Sequence, residues 1–343
     1  MPSRWPIIAA VGRRRQNDAR GYNGTVGGDE LTEARYIDPG ARTKRLAAAA
    51  SVAVNVLLIA IEGAVAYFTG SLAVLADAGH SVFDLAASLF AYWGVAMASR
   101  PPDQSHPYGH AKFENFSSLV QVALVGLIAV FIAVEVGVRL ATGHRLQVPT
   151  AAIAVVVATI VVDYLAARYL GRVARTYGSY ALEADAFHFS TDLWAKGAAL
   201  TGLLGGRLGA EWLDPAAALA VAAVMVYTAA RLGLRTSLVL LDTAPSAAVE
   251  GEVRRILAEE MGPGTGYHSL RMRQAGKWVH LDVALDLPGH VTLAEAHDLA
   301  CRISRRLCQE VPEVRDAVVY VEPYSHHQEP ETDRVSGPPP DAR

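Results

Sequence analysis

Six apolar stretches constrain the fold of this chain more than any other feature. They run at about 46–69, 71–98, 114–141, 149–171, 179–206 and 215–237. As a helix rising about 1.5 Å per residue, each is long enough to cross about 30 Å of hydrocarbon. A short Thr69–Gly70 turn joins the first two, and LGGRLGAEWLDP joins the last two. Composition agrees: the 343 residues are 52% hydrophobic and only 19% charged, with a mean hydropathy of +0.22. The chain reads as a multi-pass α-helical membrane protein with six transmembrane helices, surrounded by a lipid bilayer. A formal net charge of −3 gives no footing for a nucleic acid partner.

Charge divides the chain further. Residues 1–40 are polar and Arg-rich and read as a flexible cytosolic leader; WPIIAAVG is too short for a secretory signal core. Residues 41–242 hold the spans. In 243–325, EGEVRRILAEEM and LAEAHDLACRISRRLCQEV carry helical periodicity. LRMRQAG and KWVHLDVALDL alternate as strands around a Gly turn, and DAVVYVEPYS is a final strand. The order αββαβ predicts a small cytosolic α+β domain, a helix pair on a three-stranded sheet. Residues 326–343 are expected to be disordered, with His326 and His327 binding nothing specific. Cys301 and Cys308 are too few for a disulfide framework and read as small buried hydrophobes.

Lys and Arg set the orientation. Arg42, Lys44, Arg45, Arg100, Lys112, Arg168, Arg172, Arg175, Arg231 and Arg235 fall on one side of the spans, against chiefly Arg139, Arg145 and Arg207 on the other. Both termini are therefore expected in the cytoplasm, with the chain in the cell membrane.

The second and fifth spans each carry a His-x-x-x-Asp pair, His80 with Asp84 and His188 with Asp192. Positions i and i+4 share a helix face, with Cβ atoms about 5–6 Å apart. On facing helices the two pairs would surround one point with two nitrogens and two oxygens, a set that suits tetrahedral zinc. Ionisable groups inside a span mark function by default. Buried His–Asp hydrogen bonds that merely brace the helices are the bland alternative, disfavoured by the repetition. Glu62, Glu135 and Asp163 also fall in spans, as proton relays or near the interfaces, and Asp163 is expected to pair with arginines at its helix end.

ADAGHSVFD, HPYGHAKFE and DAFHFSTD, followed by LLDTAP and the αββαβ segment, resemble the cation diffusion facilitator family of divalent-metal/proton antiporters, over roughly residues 40–325. The resemblance implies a six-span homodimer with a metallochaperone-like (ferredoxin-like) cytosolic domain and no enzyme activity. It places the transport site on His80, Asp84, His188 and Asp192. Asp77 and Asp185, one turn earlier, would act as acceptors orienting the imidazoles, with lining of a cation-attracting cavity as the alternative for Asp77. A secondary loop site falls on Asp103, His106 and His110, unless HPYGH is only a structured turn. Lys112 would pair with Asp242 and tie the third span to the hinge above the cytosolic domain.

In that domain the implied metal ligands are His268, Asp282, His297 and Glu322. Tyr320 stands where a histidine is common, and Asp282 replaces another. Fewer nitrogen donors weaken zinc binding or favour harder metals, so a purely structural dimerisation domain and a metal sensor stay equally open.

The implied reaction is export of cytosolic metal, zinc first, with cadmium, cobalt, iron(II) or manganese as alternatives, in exchange for external protons. Zinc is then substrate and regulatory ligand, with no organic cofactor. Metal and protons compete for the same imidazoles and carboxylates, and a rocking bundle would expose the site to each side in turn. An intramembrane metalloenzyme would need a general base as in HExxH, which is absent. A transport-inactive scaffold or regulator would have no need of four intact ligands.

Overall fold

The computed structural model describes residues 38–69, 72–142, 150–207, 212–262 and 264–323, without the side chains of 69, 72–80, 139–142, 150–155, 199, 202–207 and 214. The leader and tail expected at 1–40 and 326–343 lie almost wholly outside the described residues. Six long helices come first: α1 (Ala41–Thr69), α2 (Leu72–Ala98), α3 (Lys112–Thr142), α4 (Thr150–Tyr177), α5 (Tyr180–Arg207) and α6 (Leu213–Leu240). Among the described residues, four segments are long and apolar enough to cross a membrane: Ala41–Phe68, Ser81–Ala98, Lys112–Val138 and Pro215–Leu240. α5 is not among these four segments, and it carries Glu183, Asp185, Asp192 and Lys196 along its length.

The helices pack as α1 on α2, α3 on α6 and α4 on α5. Small residues permit the close crossings, since lipid gives helices no hydrophobic reason to associate and packing must supply it. Ala47, Ala48, Val95, Leu170, Leu182 and Phe189 form one buried cluster across α1, α2, α4 and α5. Val122, Val125, Ala129, Ala184, Met225 and Ala229 form another across α3, α5 and α6. The opposite faces present Leu57, Leu127, Phe131 and Tyr227 outward, as a bilayer requires. At the α4–α5 junction Gly178 takes φ +63°, the left-handed conformation that ends a helix most cheaply in glycine.

Beyond the bundle stand α7 (Ala247–Glu260), β1 (Gly266–Ala275), β2 (Trp278–Leu287), α8 (Leu293–Glu310) and β3 (Val314–Pro323). The sheet order is β1-β2-β3, antiparallel between β1 and β2 and parallel between β2 and β3. This is the αββαβ order read from the sequence. α8 starts on a capping box in which Thr292 and Glu295 satisfy each other's backbone N–H groups. Its face of Ala296, Ala300, Ile303 and Leu307 meets Val279, Leu281, Val283 and Leu285 of β2 and Val253, Ile256 and Leu257 of α7 in a single core. Cys308 packs on this core. Cys301 has Sγ 3.5 Å from His297 Nε2, and both cysteines are half-buried rather than buried as expected.

Candidate metal sites

α2 and α5 bring three ionisable side chains to one point inside the bundle. His188 Nε2 stands 3.0 Å from Asp84 Oδ1 and 3.6 Å from Asp192 Oδ2. Asp84 is 7%, His188 1% and Asp192 7% exposed. One ligand atom from each lies within 4.8 Å of the others, and neither ring nitrogen of His188 makes a hydrogen bond of good geometry among the described residues. The i, i+4 spacing in α5 puts His188 and Asp192 on one face, and α2 supplies Asp84 from across the interface. The side chains of His80 and Asp77 lie outside the described residues.

A polar thread runs beside this cluster. Asn55 of α1 donates to Ser88 Oγ at 2.7 Å, Ser51 and Ser88 are 2.8 Å apart, and Ser88 donates to Asp185 at 3.0 Å. Asp185 therefore receives a serine hydroxyl from α2, in place of the imidazole contact expected of it. Glu62 is fully buried and accepts from Ser81 at 2.6 Å. Asp163 pairs with Lys196 of α5 at 2.8 Å, which corrects the expectation of an arginine partner. The arginines follow Asp163 toward the helix end, whereas Lys196 faces it across the α4–α5 contact.

The loop between α2 and α3 gathers a second group. Asp103 accepts from the backbone N–H of Ser105 at 2.9 Å and of His106 at 2.7 Å. These hydrogen bonds hold its carboxyl below the usual carboxylate range, the His106 backbone N–H contributing most. His106 Nδ1 and His110 Nε2 each approach Asp103 at 3.3 Å, and the imidazole centroids are 4.4 Å apart. His110 is buried, with Nδ1 3.1 Å from the Pro101 carbonyl. That carbonyl can only accept, so Nδ1 carries a proton, and Nε2 is the ring nitrogen that faces Asp103. The HPYGH segment is thus a structured turn, and its folding is what assembles the three donors.

Just beyond, Lys112 donates to Asp242 Oδ1 at 2.7 Å and to the Leu240 carbonyl at 3.4 Å. Asp242 sits at φ +58° past the end of α6 and also receives Arg273 of β1 at 3.4 Å. The Lys112 hydrogen bond holds the Asp242 carboxyl below its usual value. Arg273 in turn lies 4.2 Å over the Tyr108 ring, and Tyr108 meets His280 edge-on at 5.6 Å. Burial, with Arg273 second, pushes the His280 pKa down.

In the cytoplasmic domain the structure groups His268 with Asp286 and Glu322, at 3.4 and 3.6 Å from His268 Nε2. The expected Asp282 and His297 are elsewhere. A bulge between His268 and Arg271, with Ser269 at φ +52°, resets the β1–β2 register so that Arg271 pairs with Asp282. Asp286 lies opposite Glu322 on β3. His297 is exposed on α8 because Ala296 and Ala300 take the buried face. Asp282 and Asp286 share one face of β2, so the strand period admits both, and the bulge decides between them. The i+4 step from Asp192 puts Lys196 on the face of the cluster, without saying which carboxylate it meets.

Comparison with known proteins adds to this geometry. The family model described as the cation efflux transmembrane domain matches residues 48–241, and that of the cation efflux protein cytoplasmic domain matches 245–324. An uncharacterized transporter of Synechocystis is 32% identical over 245 residues, 71% of this chain and 79% of its own. An uncharacterized transporter of Methanocaldococcus jannaschii is 29% identical over 276 residues, 79% of this chain and 95% of its own. The cation-efflux pump FieF of Shewanella oneidensis is 31% identical over 255 residues, 74% of this chain and 86% of its own. A transmembrane helical domain with buried ligand-type residues and a small mixed-sheet cytoplasmic domain, each matched over nearly its whole length, lead to one conclusion: the chain belongs to the cation diffusion facilitator family, multi-pass membrane proteins that transport divalent metal cations.

Proposed function

We propose that the chain exports zinc from the cytosol in exchange for external protons, as a homodimer. In this reading a six-span bundle (41–242) with both termini in the cytoplasm carries the metal, and residues 243–325 dimerise and regulate. The single observation carrying it is the meeting of Asp84 with His188 and Asp192 from two helices, His188 Nε2 lying 3.0 and 3.6 Å from the two carboxylates. His80, on α2 one turn before Asp84, is assigned as the fourth ligand.

Charge accounting supports an antiporter. Two carboxylates neutralise a dication in a medium that will not otherwise accept it, and imidazole nitrogen favours zinc over manganese. Metal requires neutral imidazole and ionised carboxylate, so each arriving proton competes with it. Alternating access of one site then converts a proton gradient into metal export. Asp103, His106 and His110 are assigned as a second metal site, and His268, Asp286 and Glu322 as a regulatory one with one nitrogen among two carboxylates.

Zinc flux into proteoliposomes under a pH gradient tests the reading. Asp192→Ala and His80→Ala are each expected to abolish flux while the purified protein keeps its elution volume. Full transport by either variant would sink the assignment.

A further inference from the structure

The outer face of α4 changes character along its length. Val157, Val161, Tyr164 and Leu165 are exposed, and Arg168, Arg172 and Arg175 are exposed after them. At 3.6 residues per turn all seven fall on one stripe, opposite the buried Asp163, Leu170, Val173 and Ala174. A lipid-facing stripe thus ends in three arginines spread over about 10 Å of helix. Among the described residues none of the three pairs with a carboxylate. The acids of this region are engaged elsewhere: Asp163 by Lys196, Glu183 by Arg235 and Asp185 by Ser88. Two of the arginines do not turn outward to water, as a snorkelling side chain does. Arg168 donates from Nη1 to the Tyr164 hydroxyl at 3.2 Å, one turn nearer the apolar end. Arg175 lays Nη1 back over Gly171, 3.7 Å from where a Cβ added there would stand. The helix dipole welcomes a cation in the last turn, which accounts for Arg175 alone. Orientation needs basic residues on this side, and Arg42, Arg45, Arg100 and Arg231 already supply them.

We propose that Arg168, Arg172 and Arg175 bind the headgroup of an anionic phospholipid whose acyl chains lie along Val157, Val161 and Leu165. Guanidinium forks match phosphate oxygens two at a time. Tyr164 fixes Arg168, and the missing side chain at Gly171 leaves Arg175 its place, so little freedom is lost when the lipid arrives. The site selects by charge. A phosphatidylcholine would bring its own cation beside three arginines, whereas a phosphatidylglycerol brings only the phosphate charge. A second copy of the chain docked through this same face would bring further arginines in place of the carboxylates they lack. In the orientation proposed above, this end of α4 lies in the cytoplasmic leaflet.

Titration of the detergent-solubilised full chain with phosphatidylglycerol or phosphatidylcholine of the same acyl chains tests it, the tightest-bound lipid being read by native mass spectrometry. Wild type is expected to prefer phosphatidylglycerol, each arginine contributing about fivefold. The triple variant Arg168→Gln, Arg172→Gln, Arg175→Gln should bind the two lipids alike at an unchanged elution volume. A second triple variant, Arg42→Gln, Arg45→Gln, Arg231→Gln, removes the same charge from the same side and should keep the preference. Equal loss in both triple variants means a diffuse field rather than a site, and overturns the proposal. A preference kept by the first triple variant, or absent from wild type, overturns it as well. A shift of the first variant to the elution volume of a smaller particle makes the face a contact between copies and sinks the lipid as occupant. Excess inorganic phosphate should leave the bound phosphatidylglycerol in place; full displacement by it also sinks the lipid. Should the first triple variant not fold, the single variants decide: a loss of about fivefold in each supports the site, and less than about twofold in all three overturns it.

Discussion

Asp282 and Asp286 are chemically identical and four residues apart on β2, yet only Asp286 reaches His268. Four residues of strand span about 13 Å, too far for one imidazole to serve both. Asp286→Ala is therefore expected to remove one bound Zn2+ per chain from the full-length protein. Asp282→Ala should leave the metal count unchanged, since it loses only an exposed pair with Arg271 of about 0–1 kcal/mol. Metal counting by elemental analysis after dialysis separates the two. Individual residues were legible in the sequence where regular helix spacing governs them: His188 and Asp192 stand on one face as their spacing says. Asp286 was hidden by a bulge that no residue type announces, for Ser269 takes a left-handed φ without being glycine. The Lys196 partner of Asp163 was hidden differently, because pairing across two helices depends on their rotation.

At the scale of elements, the crossing of α2 and α3 depends on the absence of one methyl group. A Cβ on Gly94 would lie 2.3 Å from Ser117 Cβ and 3.2 Å from the Phe113 carbonyl oxygen. Ser117 has little freedom to yield, since its hydroxyl donates to the Phe90 carbonyl at 2.6 Å. Gly94→Ala should therefore cost about 1–3 kcal/mol, the usual penalty of overpacking, seen as a lower thermal midpoint in detergent. Gly126→Ala, with nothing near its Cβ, is the control expected to keep the wild-type midpoint. The six long helices were legible because their apolar runs are long. How charge is shared among them was not: α5 carries so many ionisable residues that length and apolarity alone pass it over. What the helix gives up in hydropathy it recovers by facing Ser88, Asp84 and Asp163 across the bundle.

For the molecule as a whole, the tip of the β1–β2 hairpin seats against the bundle. Gln274 donates its backbone N–H to the Thr243 carbonyl at 3.1 Å and its side chain to the Tyr180 hydroxyl at 3.2 Å. His280 is buried against Tyr108 with Arg273 close by. Its folded pKa lies below the unfolded value of about 6.5, so the unfolded chain binds the proton first. Stability from a neutral His280 is thus complete above about pH 6.5 and is lost as pH falls below it. The thermal midpoint should drop between pH 7.5 and 5 by more in wild type than in His280→Gln; equal drops would refute the contribution.

Only residues 241–246 separate α6 from α7. Within them Asp242 is gripped by Lys112 and Arg273, and Thr243 is paired to the sheet edge. So short a tether, bound at successive residues, has no slack in which to dissipate motion. Any tilt of α6 would therefore turn the sheet about Asp242 instead of being absorbed in the linker.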